Sequence, residues 1–160
     1  MARSIEFPSA DFPGPPRITL EVPDGWETLT VPGVQVAVAQ PRVEGQFRAN
    51  VVVTVQRVGP EFSLAEARAG LEQRKAALPE LEELGTGELE RQGTTWIASE
   101  YGYTQPGRPT VVQAARYAVL DRGGIAKDVL EIVGSCGAER ADEEIEIVRG
   151  IQDSVRLDLG

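Results

Sequence analysis

Four strand-like runs in the second half of the chain are separated only by short segments rich in glycine and proline. The runs cover residues 87–91, 94–105, 110–121 and 126–136, and the turns between them contain "RQG", "PGRP" and "DRGG". A parallel crossover needs a dozen or more residues, whereas antiparallel neighbours can be joined by a tight turn. The sequence therefore predicts an antiparallel meander.

The first half adds three more strand patterns, at residues 17–23, 34–40 and 47–58. The last of these reads "FRANVVVTVQRV" and has period-two alternation, which is typical of a strand with one buried face. Asn50 is a poor strand former, and we expect it to be a hydrogen-bonded structural amide rather than a ligand. The apolar face, which we expect to be core, comprises Phe47, Ala49, Val51, Val53 and Val55.

Two helices complete the pattern. In residues 62–79, Ser63 and Glu66 form a capping-box sequence, Pro79 ends the helix, and the interspersed charged residues are expected to face solvent. Residues 141–157 form the second helix. Its acidic first turn suits the positive end of the helix dipole better than it suits a metal site.

These elements predict one α+β domain over residues 1–160. A mostly antiparallel sheet of about six to seven strands is expected to pack with two main helices. The proline-rich residues 1–16 are expected to be irregular.

Composition excludes several classes of function. A net charge of −9, from 25 acidic and 16 basic residues, argues against nucleic acid as the main partner. The chain has no histidine and only one cysteine, so we expect no metal and no cofactor. The N-terminal residues lack the apolar core of a secretory signal, and no apolar run approaches a membrane span, which predicts a cytoplasmic protein. The oligomeric state stays open.

No catalytic constellation is found. Cys136 has no histidine to activate it and is expected to be a buried, inert thiol. Glu100 and Glu131 lie in strand patterns and could flank a pocket, but a chain with this many carboxylates offers many such pairs. We therefore predict no catalytic residues.

Aromatic residues give the candidate binding site. Trp96, Tyr101, Tyr103 and Tyr117 fall on adjacent predicted strands, and Tyr101 and Tyr103 share one face. Aromatic side chains with polar tips suit recognition surfaces. Ordinary packing of a helix on the sheet is the more common explanation for such residues.

The order of motifs resembles a known family. "PDGW", a second strand, "FRANVVVTVQRV", a capped helix opening "SLAEA", the meander and a closing helix are together similar to the actinobacterial LpqN/LpqT family of the Mog/PsbP-like fold. The resemblance covers about residues 17–157. It implies an antiparallel sheet packed between helices and no catalytic signature.

The resemblance also implies function by binding, since relatives of the fold include a Ran-binding transport factor, a photosystem II subunit and secretion chaperones. The expected function is a non-enzymatic protein-binding or chaperone-like module, linked to secretion or to the cell envelope, with a protein partner. The alternative is a carrier that holds a small apolar ligand between sheet and helix. An enclosed apolar pocket would favour the carrier.

Overall fold

The computed structural model describes all 160 residues, and it shows the predicted α+β architecture. The two helices are α1 (Leu64–Ala76) and α2 (Ala141–Asp153), the latter preceded by a 3-10 turn at Ala138–Arg140. The strands are β1 (Arg17–Thr19), β2 (Glu27–Thr28), β3 (Val36–Ala39), β4 (Asn50–Val58), β5 (Glu82–Arg91), β6 (Thr94–Tyr103), β7 (Val111–Asp121), β8 (Lys127–Gly137) and β9 (Arg156–Asp158). No helix has the length and apolarity needed to cross a bilayer.

Seven strands form one antiparallel sheet in the order β2-β3-β4-β8-β7-β6-β5. The meander from β5 to β8 is present as predicted, and the long strand β4 pairs with β8 from Asn50 to Val58. This non-local pairing places β4 and β8 at the centre of the sheet. The remaining strands, β1 and β9, form a separate two-stranded ribbon.

The face assignment of β4 is correct for its central residues. Val51 and Val53 are fully buried, and Val55 packs against the same core. Phe47 was expected to be core, but it is 38% exposed because it lies in the loop that precedes β4. Asn50 donates from Nδ2 to the carbonyl oxygen of Arg48 at 3.1 Å, which confirms a structural amide.

Helix α2 covers one face of the sheet and closes the larger core. Its residues Ile145, Val148 and Ile151 pack onto β4, β7 and β8 within a cluster of sixteen buried residues. Gly134 of β8 permits this close approach, since a Cβ there would lie 2.1 Å from Cγ1 of Val148. The helix ends at Asp153, before the predicted end at residue 157, because the chain turns to form β9.

Helix α1 lies on the opposite face over a smaller cluster of six buried residues. Its N-cap is Ser63, whose Oγ accepts from the backbone N–H of Glu66 at 3.2 Å. The buried side chains of α1 are Ala67, Leu71 and Lys75. Lys75 was expected to face solvent but is 1% exposed, because it follows Leu71 by four residues on the same helix face.

Candidate functional site

Helix α1 covers only part of its face of the sheet, and beside it lies an open cleft of about 340 Å³, here called the α1 cleft. Its floor comes from β4, β6, β7 and β8, and one wall comes from the C-terminal half of α1. The lining residues are Val52, Thr54, Leu71, Arg74, Lys75, Leu78, Tyr101, Gln113, Tyr117, Glu131 and Val133.

Because the strands are antiparallel and in register, the side chains on the floor of the α1 cleft form rows across the strands. Val52 of β4 faces Val133 of β8, and in the next row Thr54 faces Glu131. Glu131 in turn faces Tyr117 of β7. Half-buried valines therefore lie directly beside a row of polar and aromatic side chains.

Lys75 is a buried cation at the wall of the α1 cleft. Its Nζ donates to Ser99 Oγ at 2.8 Å and forms ion pairs with Glu83 at 2.6 Å and Glu72 at 3.2 Å. The ammonium also lies 5.5 Å from the centroid of the Tyr101 ring, within cation–π range. These contacts compensate the desolvation of the lysine charge.

Arg74, the preceding residue, is 57% exposed and reaches over the ring of Tyr117. Its guanidinium carbon lies 4.9 Å from the ring centroid, and it donates to the Tyr117 hydroxyl and to Glu131, the latter at 3.4 Å. Burial, together with the negative charge of Glu131, raises the pKa of Tyr117. The phenol stays protonated, so it offers a hydroxyl group and cannot serve as a base at neutral pH.

A chain of neutral hydrogen bonds extends along the floor. The Tyr101 hydroxyl donates to Gln113 Oε1 at 3.0 Å, and Gln113 Nε2 donates to Ser135 Oγ at 2.9 Å. Burial raises the pKa of Tyr101 to about 12, with a smaller contribution from Glu131. The two tyrosines of the site therefore present protonated hydroxyl groups in fixed polar contacts.

The predicted aromatic cluster is divided by the sheet. Tyr101 and Tyr117 line the α1 cleft, but the two residues are only 5% and 4% exposed beneath α1. Tyr103 packs against the same cluster, is half-buried, and lines a neighbouring hollow with Phe47. Trp96 does not belong with the tyrosines, because it lies on the opposite face in the α2 core.

The candidate carboxylate pair is also separated by the sheet. Glu131 lies in the α1 cleft, whereas Glu100 faces the other side and pairs with Arg149 of α2 at 2.5 Å. Cys136 is fully buried, and its burial with the nearby carboxylates raises its pKa to about 11. No group of three or more side chains is arranged to hold a metal ion.

Sequence reasoning missed the charged wall of the α1 cleft. Arg74 and Lys75 were assigned to a solvated helix face, and the polar partners Gln113 and Ser135 were not singled out. The helical spacing of Lys75 from Leu71 is the sequence signal that indicates its burial.

Comparison with protein-family models and with curated protein sequences gives no match. Among solved structures, LpqN of Mycobacterium tuberculosis, which is involved in cell envelope biogenesis, is similar with a TM-score of 0.76 and 18% identity, covering 91% of this chain and 85% of that one. Cyanobacterial PsbP from Synechocystis sp. PCC 6803 gives a TM-score of 0.58 at 13% identity over 99% of both chains. The Saccharomyces cerevisiae Ran-binding protein Mog1p gives 0.56 at 16% identity, covering 87% of this chain and 89% of that one.

These likenesses confirm the Mog/PsbP-like fold and the structural resemblance to LpqN. They also correct the prediction of a cytoplasmic protein, which is wrong in the light of LpqN and its part in cell envelope biogenesis. That prediction rested on the lack of an apolar signal core near the N-terminus, and such an absence does not determine the location of a protein.

Proposed function

We propose that this protein is a non-enzymatic binding module that engages a partner protein through the α1 cleft and the uncovered sheet beside it, in a cell-envelope setting. The observation that supports this most is the incomplete cover of α1. The helix leaves half-buried Val52, Val129 and Val133 of β4 and β8 next to the Arg74–Tyr117–Glu131 contacts. Such a mixture of apolar floor and fixed polar rim is typical of protein interfaces.

The likenesses support binding as the type of function. None of the three similar proteins is named for a catalytic activity, and Mog1p is described as Ran-binding. The raised pKa values of Tyr101 and Tyr117 keep both phenols protonated, and Cys136 is buried in the core on the other face. Neither the phenols nor the thiol is therefore an activated base or nucleophile.

The alternative of an apolar carrier fits the α1 cleft less well. A carrier site encloses most of its ligand in apolar side chains. The α1 cleft is open, and Arg74, Lys75 and Glu131 are among its lining residues. A protein surface can offer polar groups to the exposed Arg74 and to Glu131, whereas a small hydrocarbon would desolvate them and give no hydrogen bond in return.

The partner we propose carries a basic surface. The chain has a net charge of −9, and Glu72, Glu83 and Glu131 stand around the α1 cleft. Opposite charge on a partner would speed its association and make binding sensitive to salt.

The experiment is capture of a partner from envelope extracts of the native host, followed by titration of the purified partner against variants. Val52→Asp puts a charge on the uncovered floor, and Tyr103→Ala truncates the flanking aromatic residue. The matched control is Ile147→Asp, which puts the same charge on the 39% exposed outer side of α2.

We expect Val52→Asp to weaken binding by about 2 kcal/mol or more and Tyr103→Ala by about 1 kcal/mol, as for residues inside an interface. Ile147→Asp should bind like wild type. Equal loss in Val52→Asp and Ile147→Asp, or no loss in both Val52→Asp and Tyr103→Ala, would rule out the α1 cleft as the binding surface. Substrate turnover by the pure protein would rule out the non-enzymatic function.

A further inference from the structure

A second cleft of about 300 Å³ lies on the other face of the sheet, between β5 and the C-terminal half of α2, and is here called the α2 cleft. Its charged lining consists of three arginines and two carboxylates. These are Arg91, Arg116, Arg149, Glu100 and Asp153. Arg149 is paired with Glu100 and with Glu146 of α2, whereas Arg91 and Arg116 share the single carboxylate of Asp153. The positive charge beside Asp153 therefore exceeds the negative charge, and this end of the α2 cleft suits an anion.

Two glycines of β5 create the room in the α2 cleft. Gly87 pairs with Ala98 of β6, which pairs with Arg116 of β7, so the three residues share one row on this face. Gly85 pairs with Glu100 in the next row. A Cβ at Gly85 or Gly87 would meet no atom within 4 Å, so the space is available to a ligand or to a larger side chain.

Arg116 is held in the α2 cleft with donors to spare. Its side chain is only 7% exposed, and the structure gives it one hydrogen-bond partner, Asp153 Oδ1, at 2.6 Å from Nη1. Asp153 is shared with Arg91 at 3.1 Å. A guanidinium has five N–H donors in a planar fork, and the remaining ones suit the oxygens of a carboxylate or phosphate.

Gln152 supplies an independent indication of a ligand. It is 2% exposed and lines the α2 cleft, and its Nε2 donates to the carbonyl oxygens of Ala114 at 2.9 Å and Ile132 at 3.2 Å. These two bonds fix the amide orientation, because a flip would face its oxygen toward two other oxygens. Oε1 is thereby left as a buried acceptor with no donor, a costly arrangement that a ligand donor would relieve.

We propose that the α2 cleft binds a small oxyanion that carries a hydroxyl group. The oxyanion would take the free N–H donors of Arg116, and the hydroxyl would donate to Gln152 Oε1. Hydroxycarboxylates and hydrogen phosphate share this chemistry. The α2 cleft lies on the opposite side of the sheet from the α1 cleft, so this proposal does not depend on the proposed protein-binding surface.

The test is a titration of the ¹⁵N-labelled full chain, followed by amide chemical shifts, at constant ionic strength. Lactate and inorganic phosphate are the probes, and they distinguish the two sources of oxyanion. Propionate is the matched probe, because it keeps the carboxylate of lactate and lacks its hydroxyl.

We expect saturable shifts confined to β5, β6, β7 and α2 with lactate, with phosphate, or with both. Propionate should bind at least about tenfold more weakly than lactate, because it leaves Gln152 Oε1 unpaired. Gly87→Val should weaken binding of the effective probe at least about tenfold by filling the α2 cleft. Glu88→Val is the control, since it puts the same side chain on the adjacent residue of the other face, and it should bind like wild type.

Absence of saturable shifts with lactate and phosphate up to about 10 mM would overturn the proposal, as would unchanged affinity in Gly87→Val. Equal affinity for lactate and propionate, with no binding of phosphate, would overturn the role of Gln152. Should Gly87→Val fail to fold, Gly85→Val blocks the same space, and the comparison of lactate with propionate needs no variant.

Discussion

The two faces of the seven-stranded sheet are each covered by a helix of 13 residues, yet they are built differently. On the α2 face, sixteen residues form the larger apolar core, and the α2 cleft lies beside it. On the α1 face, only six residues are buried in the corresponding cluster, and the helix buries Lys75 beside them.

The difference begins in the buried stripes of the helices. Helix α2 directs Ile145, Val148 and Ile151 at the sheet, and each fully buried side chain of this size contributes about 1.5–3 kcal/mol. Helix α1 directs Ala67, Leu71 and a lysine at the sheet. Helix α1 therefore adds much less hydrophobic stabilisation than α2.

Buried polar residues on a face of the sheet indicate where a function constrains the sequence. A sequence that violates the rule of an apolar core at one place and keeps it elsewhere points to a functional constraint at that place. The α1 face carries such a violation in Lys75 and its polar partners, and the α2 face carries another in Arg116 and Gln152 at the α2 cleft. The α1 face also leaves part of the sheet uncovered. We infer that the α1 face is kept for binding a protein partner, whereas the α2 face combines the main core of the fold with the α2 cleft beside β5.

The largest effect on the free energy of unfolding is expected between variants of two neighbouring valines on β4. Val53→Asp places an unpaired charge in the α2 core, where Val53 is fully buried, and should cost more than about 4 kcal/mol. Val52→Asp places the same charge on the half-buried α1 face and should cost about 1–2 kcal/mol. Thermal unfolding followed by circular dichroism measures the loss of stability in both variants. Equal melting temperatures would show that the two faces are equally buried, which would contradict the difference described above.

A smaller effect is expected from glycines on the two faces. Gly134→Ala should destabilise the protein by about 2–3 kcal/mol, because its Cβ would overlap Val148 beneath α2. Gly70→Ala in α1 meets no atom within 4 Å and should stabilise by about 0.5–1 kcal/mol through helix propensity.

Urea unfolding of both glycine variants, with Val148→Ala as a second background, measures this effect. The penalty of Gly134→Ala should shrink in the Val148→Ala background, because the overlapping methyl group is absent. A penalty that stays the same in both backgrounds would show that the tight contact beneath α2 is not its cause.

The smallest effect concerns pH on the α1 face. The pKa of Tyr101 rises from 10.0 to about 12 on burial, so the folded state holds this proton more tightly than the unfolded state. Its contribution to stability is complete below pH 10 and is lost as the pH rises toward 12. Tyr101→Phe should therefore show a shallower loss of unfolding free energy than wild type in this range, measured by urea titration at several pH values. Identical slopes of unfolding free energy against pH in the two proteins would mean that burial does not raise the pKa of Tyr101.

Much of the fold follows from local sequence patterns. The meander, the two helices and the faces of β4 are specified by alternation, capping residues and turns, and the structure reproduces them to within a few residues. The exceptions depend on non-local pairing. Residues 82–86 include two glutamates and a glycine, which do not favour strands, and they extend β5 because β6 lies beside them. Residues 156–158 leave the predicted helix to pair with β1.

The candidate site was less predictable for the same reason. Alternation correctly places Tyr101 and Tyr103 on one face of β6. It also places Trp96, five residues before Tyr101, on the opposite face, so the grouping of Trp96 with the tyrosines was wrong on the sequence pattern itself. The burial of Lys75 depends on where α1 docks on the sheet. The orphaned acceptor of Gln152 depends on carbonyls from β7 and β8, which are distant in sequence.

Helix α2 is part of the stable core, whereas α1 lies on a less stable face. Native-state hydrogen exchange at increasing denaturant tests this difference most directly, since it gives an opening free energy for each protected amide. We expect amides of α2, β4 and β8 to exchange only through global unfolding. Amides of α1 should exchange through a partial opening whose free energy is lower by at least about 2 kcal/mol. Opening free energies for α1 equal to those for α2 would contradict it.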